Sequence, residues 1–358
     1  MTKVLMKGNE AMAEGAVRAG CKFFSGYPIT PQTEVLEYLV NRLPEVGGDC
    51  IQTESELAGI NMLFGAVAAG ARGLSSSSSP GFAHYQEGIS FLAANDLPAV
   101  LINVSRMGNG LGDLPTGQGD YWQATRGGGN GDYRCIVLAP ASVQESADLT
   151  YCAFDLAEKY LHPVIILSDA AIGQMAEDVE LPEMLDHDID KFTWTVKGCK
   201  NGDKQRQIQN VFYTRPDYPD YLSSKYKLIE ECEQRWESVS TGDAEVILVA
   251  YGISARICKE AVRNARLEGI KLGLIRPISL WPFPCKAFKN LSPNLRAFLS
   301  VEINILGQMV DDVKLACENR IPVDFFGTFF DVPETDNIVA KTRDILNNKN
   351  RSSSSGGN

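Results

Sequence analysis

The chain of 358 residues lacks the clustered ligands that announce a metal centre. Its nine cysteines stand at 21, 50, 135, 152, 199, 232, 258, 285 and 317, with no C-x-x-C pair among them. That spacing offers no thiolate set for zinc or an iron–sulfur cluster. An odd, dispersed count reads as buried thiols in a cytoplasmic protein rather than a disulfide frame. The three histidines, at 84, 162 and 187, are too few and too scattered for a metal site. Phosphate grips are missing too: there is neither G-x-x-x-x-G-K-[ST] nor G-x-G-x-x-G. G-x-S-x-G and H-E-x-x-H are absent, which leaves a hydrolase or metalloprotease without support. No apolar run approaches the ~18–20 residues that span a bilayer. The start, MTKVLMKGNEAM, has no signal-peptide architecture, so a cytoplasmic protein is expected. Positive charge is in deficit, with 34 Lys and Arg against 45 Asp and Glu. A net charge of −11 argues against nucleic acid or an anionic membrane as partner.

What remains is an ordinary globular composition, 44% hydrophobic and 22% charged, long enough for two domains. Helical and extended patterns alternate through the first half. Helices are predicted over Asn9–Ala19, Pro31–Leu43 and Glu56–Ala69, and from a Ser142/Glu145 capping box to about Tyr160. Strands are predicted at Cys21–Ser25, Cys50–Thr53, Gly73–Ser79, Ala99–Ser105, Cys135–Ala139 and Pro163–Ser168. Such alternation means a parallel sheet with helices on both faces. Residues 186–242 are polar and read as a connecting region with its own helix. A second α/β unit is predicted over 243–346, followed by a flexible tail, 347–358.

Four stretches in order carry a resemblance: GYPITPQTE (26–34), IQTESELAGINMLFGAVAAGAR (51–72), SSSSSPGFAHYQEGISFLA (75–93) and GIKLGLIRPISLWPFP (269–284). The chain resembles the alpha-type subunit of a 2-oxoacid:ferredoxin oxidoreductase from about Val4 to Asp331. MKGNEAMAEGAVRAG, VLAPASVQESADL and GQMVDDV resemble the branched-chain (2-oxoisovalerate) subgroup. The resemblance implies a doubly wound pyrimidine-binding domain of a thiamine-diphosphate enzyme over 1–185. It implies a transketolase C-terminal-like α/β domain over 243–346. It implies oxidative decarboxylation of a 2-oxoacid, best a branched-chain one such as 3-methyl-2-oxobutanoate, to an acyl-CoA and CO2, with ferredoxin as electron acceptor. Pyruvate, 2-oxoglutarate and aryl 2-oxoacids are rival substrates. A non-catalytic scaffold that kept the fold is the rival from another class.

The family holds the cofactor diphosphate through Mg²⁺ at a G-D-G motif. Every Gly-Asp pair here is followed by another residue: Cys50, Leu114, Tyr121, Tyr133, Lys204 or Ala244. The metal site and the iron–sulfur clusters are therefore expected on partner chains. Those implied are a thiamine-diphosphate-binding beta subunit, a ferredoxin-like iron–sulfur subunit and, as an optional third, a gamma subunit. Coenzyme A and ferredoxin complete the set, within a cytoplasmic hetero-oligomer of anaerobic metabolism.

By the same resemblance Glu54 is the carboxyl that shares a proton with the cofactor's pyrimidine nitrogen. That task needs an apolar pocket. A carboxylate here also suits a helix N-terminus, and Glu56 is the alternative. Tyr27, Pro28 and Ile29 are expected to line the pyrimidine, and Ser78 and Ser79 to approach the cofactor. Thr30 is expected to cap a helix with Pro31 at its first position and to touch the substrate carboxylate. Arg106 is expected to grip that carboxylate with paired hydrogen bonds; Arg126 is the second candidate. His84 beside Phe82 and Tyr85 reads as a packed or capping residue. Glu302 and Asn304 read as a subunit contact.

Overall fold

A computed structural model of the chain describes residues 3–185, 194–196, 198, 206–208 and 215–354, with side chains through 347. The polar runs expected at 186–190 and over most of 199–208 lie outside the described residues, as does the end of the tail, 355–358.

The first half is β1 (Val4–Lys7), α1 (Gly8–Arg18), β2 (Phe23–Gly26), α2 (Thr33–Glu45), β3 (Asp49–Gln52), α3 (Glu56–Ala69), β4 (Gly73–Ser77), α4 (Ser79–His84), α5 (Gln86–Ala94), β5 (Val100–Ser105), α6 (Tyr121–Arg126), β6 (Ile136–Leu138), α7 (Val143–Tyr160), β7 (Val164–Asp169), α8 (Ala170–Gln174) and β8 (Ala176–Val179). The second half is α9 (Tyr218–Cys232), β9 (Trp236–Val239), β10 (Val246–Val249), α10 (Gly252–Leu267), β11 (Leu272–Pro277), β12 (Ser279–Trp281), β13 (Ala297–Glu302), α11 (Met309–Ala316), β14 (Val323–Gly327) and α12 (Thr335–Ser354).

The strands build a seven-stranded sheet, β12-β6-β7-β5-β4-β2-β3, and a five-stranded sheet, β14-β13-β10-β11-β9. Within these two sheets pairing is parallel except at β12–β6 and β9–β11, and β1 and β8 form a separate antiparallel pair. Strands buried on both faces explain this. On β5, Val100, Ile102 and Val104 join the core under α1, α2 and α7. Leu101 joins the core under α3 and α5. A parallel sheet covered on both sides needs such unbroken apolar runs. In β4 and β5 the runs turn polar near their ends, at Ser75–Ser77, Asn103 and Ser105, all buried.

The two sheets share one core. Val246, Leu248 and Leu299 pack under α10 and α12. Ile247, Val249 and Phe298 pack with the α3 and α5 side of the first sheet. Arg276 at the end of β11 binds both oxygens of Glu145 on α7 at 2.7 Å, and its Nε reaches Glu237 at 2.9 Å. The predicted capping box is half formed. Ser142 accepts from the Glu145 amide at 3.2 Å, while the Glu145 carboxylate serves Arg276 and the Ala141 amide.

Two boundaries differ from the sequence reading. β9, within the expected connecting region, completes the second sheet, and β12, within the expected second domain, completes the first. The tail expected to be flexible from 347 continues α12 to Ser354. Among the residues of that helix whose side chains are described, Ile345 is the last buried one, and adding turns to a formed helix costs far less than starting one.

Chain order fixes where a ligand fits. β2 is followed by β3 on one side and then by β4 on the other. α2 and α3 accordingly lie on opposite faces. In such sheets ligands bind beyond the carboxyl ends of the strands where the order reverses. Here that crevice receives Tyr27 after β2, Glu54 after β3 and Ser78 after β4.

Candidate active site

The crevice is built from three strand ends. Thr53, after β3, ties back to β2 through its amide and the Gly26 carbonyl, 3.0 Å. Its hydroxyl reaches the Ser55 carbonyl at 2.8 Å. Ser55 caps α3, accepting from the Ala58 amide at 3.2 Å. Glu54 thereby lies on the outside of the turn and is exposed. Glu56, on the first turn of α3, is half-buried. Its Oε1 and the Ser77 hydroxyl both face Gly81, where any Cβ would collide with them. Of the two carboxylates, it is Glu56 and not Glu54 that turns inward within this chain. The sequence signal was available in the spacing: Glu54 precedes the cap residue, and Glu56 follows it.

The β4 end is unusual. Ser77 and Ser78 are fully buried, and neither hydroxyl has a hydrogen-bond partner. Such orphans are costly and rare. Serines below them are satisfied: Ser75 meets the Tyr85 hydroxyl at 2.7 Å, and Ser76 donates to Gln32 Oε1 at 2.7 Å. Ser79 is engaged as well. Its hydroxyl donates to Asp120 Oδ2 at 2.6 Å and accepts from the Arg106 amide at 2.9 Å. Direct cofactor contact expected of the Ser79 hydroxyl is thus already spent inside the chain.

Asn103 joins the same cluster, accepting from the Ser79 amide at 3.1 Å and donating to Asp120 Oδ2 at 2.9 Å. Burial pushes the Asp120 carboxyl above the ordinary carboxylate range, while the hydrogen bonds from Ser79 and Asn103 pull it back. Nothing in the local sequence pointed to Asp120, because its partners lie 17 and 41 residues earlier.

Tyr27 is exposed, and Pro28 and Ile29 are half-buried along the turn after β2. Thr30 does not cap α2. The Thr30–Pro31 bond is cis, and the helix starts at Thr33 behind Gln32. The Pro31 carbonyl is held outside the helix by Asn9 Nδ2 at 2.6 Å and Gln174 Nε2 at 2.8 Å. Thr30 instead meets Arg106 through its carbonyl, which accepts from Nη1 at 2.6 Å. Arg106 Nη2 donates to the Leu111 carbonyl at 2.7 Å. Its Nε is buried without a partner. Leu111 belongs to a tight loop whose glycines 108, 110 and 112 all have positive φ.

Between α4 and this loop lies a cavity of about 580 Å³, lined among others by Ser79, His84, Met107, Leu111 and Asp120. His84 is exposed on its wall rather than packed. Arg126 is committed elsewhere. It pairs with both Asp312 oxygens, at 2.8 and 3.1 Å, and covers the Tyr121 ring. Glu302 is not a surface contact but fully buried. Its carboxylate accepts from the amides of Gln308, Met309 and Val310 at 2.9–3.0 Å, and from Ser300 and Asn304 at 2.8 Å. An anion at a helix N-terminus is well placed. Among the described residues no group of three His, Cys, Asp or Glu side chains gathers as a metal would require. No described helix is long and apolar enough to cross a membrane.

The comparisons agree with this geometry. Residues 14–238 match the thiamine-diphosphate-binding domain of pyruvate flavodoxin/ferredoxin oxidoreductases, and 244–329 match pyruvate:ferredoxin oxidoreductase core domain II. Ketoisovalerate oxidoreductase subunit VorB of Methanothermobacter marburgensis is 45% identical, over 98% of this chain and 100% of that protein. 2-oxoglutarate synthase subunit KorA of Methanocaldococcus jannaschii is 37% identical, over 92% of this chain and 96% of that protein. A solved 2-oxoglutarate:ferredoxin oxidoreductase from Magnetococcus marinus superposes with a TM-score of 0.85 at 25% identity, covering 96% of this chain and 65% of that one. A split-gene transketolase, at TM-score 0.60 and 15% identity, shares the fold alone. The chain belongs to the thiamine-diphosphate-dependent 2-oxoacid:ferredoxin oxidoreductase family, in the manner of its alpha-type subunits.

Proposed function

We propose that this chain supplies the pyrimidine half of a shared thiamine-diphosphate site in a complex that oxidises a branched-chain 2-oxoacid to its acyl-CoA. Ferredoxin takes the electrons. The relatives named for ketoisovalerate, at 45–47% identity, support that substrate over 2-oxoglutarate, whose named relatives stand at 32–37%. The missing G-D-G motif supports a beta-type partner that holds Mg²⁺ and the diphosphate, and the dispersed cysteines support iron–sulfur partners. A cytoplasmic setting fits the eight described cysteines, all free thiols.

The observation that carries the reading is the pair of buried, unpartnered hydroxyls on Ser77 and Ser78, with the Glu56 carboxylate and the Ser77 hydroxyl both against Gly81. These residues suit a flat, polar-edged heterocycle. Thiamine diphosphate, when bound, supplies the electron sink for decarboxylation. Glu56 holds the proton at the pyrimidine ring nitrogen from a half-buried position on the first turn of α3. Ser77 and Ser78 offer hydroxyls to the same ring edge. Tyr27, Pro28 and Ile29 border it. Arg106 meets the substrate carboxylate through its buried free Nε, and the Thr30 hydroxyl adds a donor nearby.

Two variants in the reconstituted complex separate the carboxylates. Glu56→Gln is expected to slow C2 hydrogen exchange on bound cofactor, and Glu54→Gln to leave it near the parent rate. The opposite pattern returns the role to Glu54. Unchanged exchange in both removes the catalytic reading of either. Steady-state rates across a panel of 2-oxoacids check the substrate.

A further inference from the structure

We infer that Asp120 is a positioning residue for substrate recognition, holding the arginine that reads the 2-oxoacid carboxylate. The inference rests on the proposed role of Arg106.

The geometry is a closed circuit across three separate segments. The Ser79 amide donates to Asn103 Oδ1 at 3.1 Å, and Asn103 Nδ2 donates to Asp120 Oδ2 at 2.9 Å. The Ser79 hydroxyl donates to the same Asp120 oxygen at 2.6 Å. Having given its proton to Asp120, that hydroxyl presents a lone pair to the Arg106 amide at 2.9 Å. A hydroxyl has one proton and two lone pairs. The carboxylate therefore fixes which way the Ser79 hydroxyl turns, and so whether it can accept from Arg106. Without Asp120 the Ser79 proton is free to swing toward other acceptors, including the Arg106 carbonyl at 3.3 Å.

The far side of Asp120 is anchored too. Asp120 immediately precedes α6, whose Tyr121 donates to Asp312 Oδ2 at 2.5 Å. The neighbouring Gly119 carbonyl accepts from Gln308 Nε2 at 2.8 Å. The Gln118 amide donates to the Ile303 carbonyl at 2.8 Å. The second domain thus grips the segment on both sides of Asp120, and Asp120 passes that rigidity through Ser79 to the Arg106 backbone, from which its side chain springs. Asp120 also lines the cavity beside the glycine loop, so its placement bears on the room left for a substrate. Small displacements of a recognition group cost roughly 10²-fold in the extreme.

The test uses the complete complex with its partner subunits. Asp120→Ala is expected to raise the KM for 3-methyl-2-oxobutanoate by on the order of 10-fold, while the KM for coenzyme A stays at the parent value. Asp120→Asn keeps an oxygen acceptor for both Ser79 and Asn103, and is expected to restore most of the loss. A residue that only supports folding would lower the amount of active enzyme and leave KM unmoved. An unchanged 2-oxoacid KM in Asp120→Ala, with only the maximal rate or thermal midpoint reduced, overturns the inference, as does an Asp120→Asn variant no better than Asp120→Ala. Arg106→Ala separates the two levels. If it raises the 2-oxoacid KM and Asp120→Ala does not, the positioning role alone falls. If it leaves that KM unchanged, the recognition role of Arg106 falls and the positioning role with it.

Discussion

Among the strand ends that carry buried polar groups, those of β13 and β4 are opposites. At the end of β13 the Glu302 carboxylate is surrounded by five donors, three of them amides that open α11. At the end of β4 the Ser77 and Ser78 hydroxyls are equally buried and have none. The first arrangement is complete within the chain and does structural work. The second has no partner within the chain, and the proposed cofactor site is what would supply one. Burial alone does not separate a structural polar residue from a binding one; the state of its hydrogen bonds does.

The contrast can be pressed from both ends. The largest effect is expected at the open end: Glu56→Gln lowers turnover by roughly 10²–10⁴-fold, with unfolding by urea unchanged. A matching loss of stability would move Glu56 to the structural side. At the closed end Glu302→Ala leaves three buried amides without their acceptor and is expected to cost about 3 kcal/mol in the urea titration. A cost under about 1 kcal/mol would erase the difference between the two ends. Ser77→Ala removes a hydroxyl that has no partner in the chain. Stability is expected to shift by less than about 0.5 kcal/mol, while affinity of the complex for thiamine diphosphate weakens by the equivalent of one hydrogen bond, about 1 kcal/mol.

The smallest effect near neutrality belongs to His162, a buried residue whose Nδ1 has no partner. Its other nitrogen meets the Arg134 carbonyl. Burial first, and Lys225 second, push its pKa down to about 3. The folded chain keeps the ring neutral, whereas the unfolded chain protonates it near pH ~6.5. The unfolded state therefore binds more protons below that pH. Stability is fully present above it and falls by up to about 1.4 kcal/mol per unit as pH drops toward 3. His162→Phe is expected to flatten that slope between pH 6 and 4 without changing cofactor affinity. An unaltered slope would show that the ring is protonated in the fold.

Much of the scaffold was legible. α3 runs from Glu56 to Ala69 as expected, and the six strands expected in the first half agree with the observed ones to within about two residues, while β1 and β8 were not among them. Such features are local, and local propensity reports them. α4 and α5 were missed because a serine run before a proline reads as a strand or a loop. Thr30 was misassigned because Thr-Pro signals a cap, while Asn9 and Gln174, distant in sequence, hold the turn outside the helix. Between the two glutamates the resemblance favours Glu54, although the cap residue between them was a signal, and the packing of Gly81 against the Glu56 carboxylate shows that Glu56 faces inward. Asp120 was invisible because its meaning lies in partners that the fold alone brings near.

The exchange of edge strands bears on motion. β12 leaves the second domain's chain segment to pair with β6, and Arg276 on the adjoining strand forks onto α7. A hinge between the two sheets would have to unzip that strand and strip a buried guanidinium of the Glu145 carboxylate. The chain is therefore built to travel as one rigid block, so any opening and closing over a reaction cycle falls to its surface loops and to the seams it shares with other polypeptides.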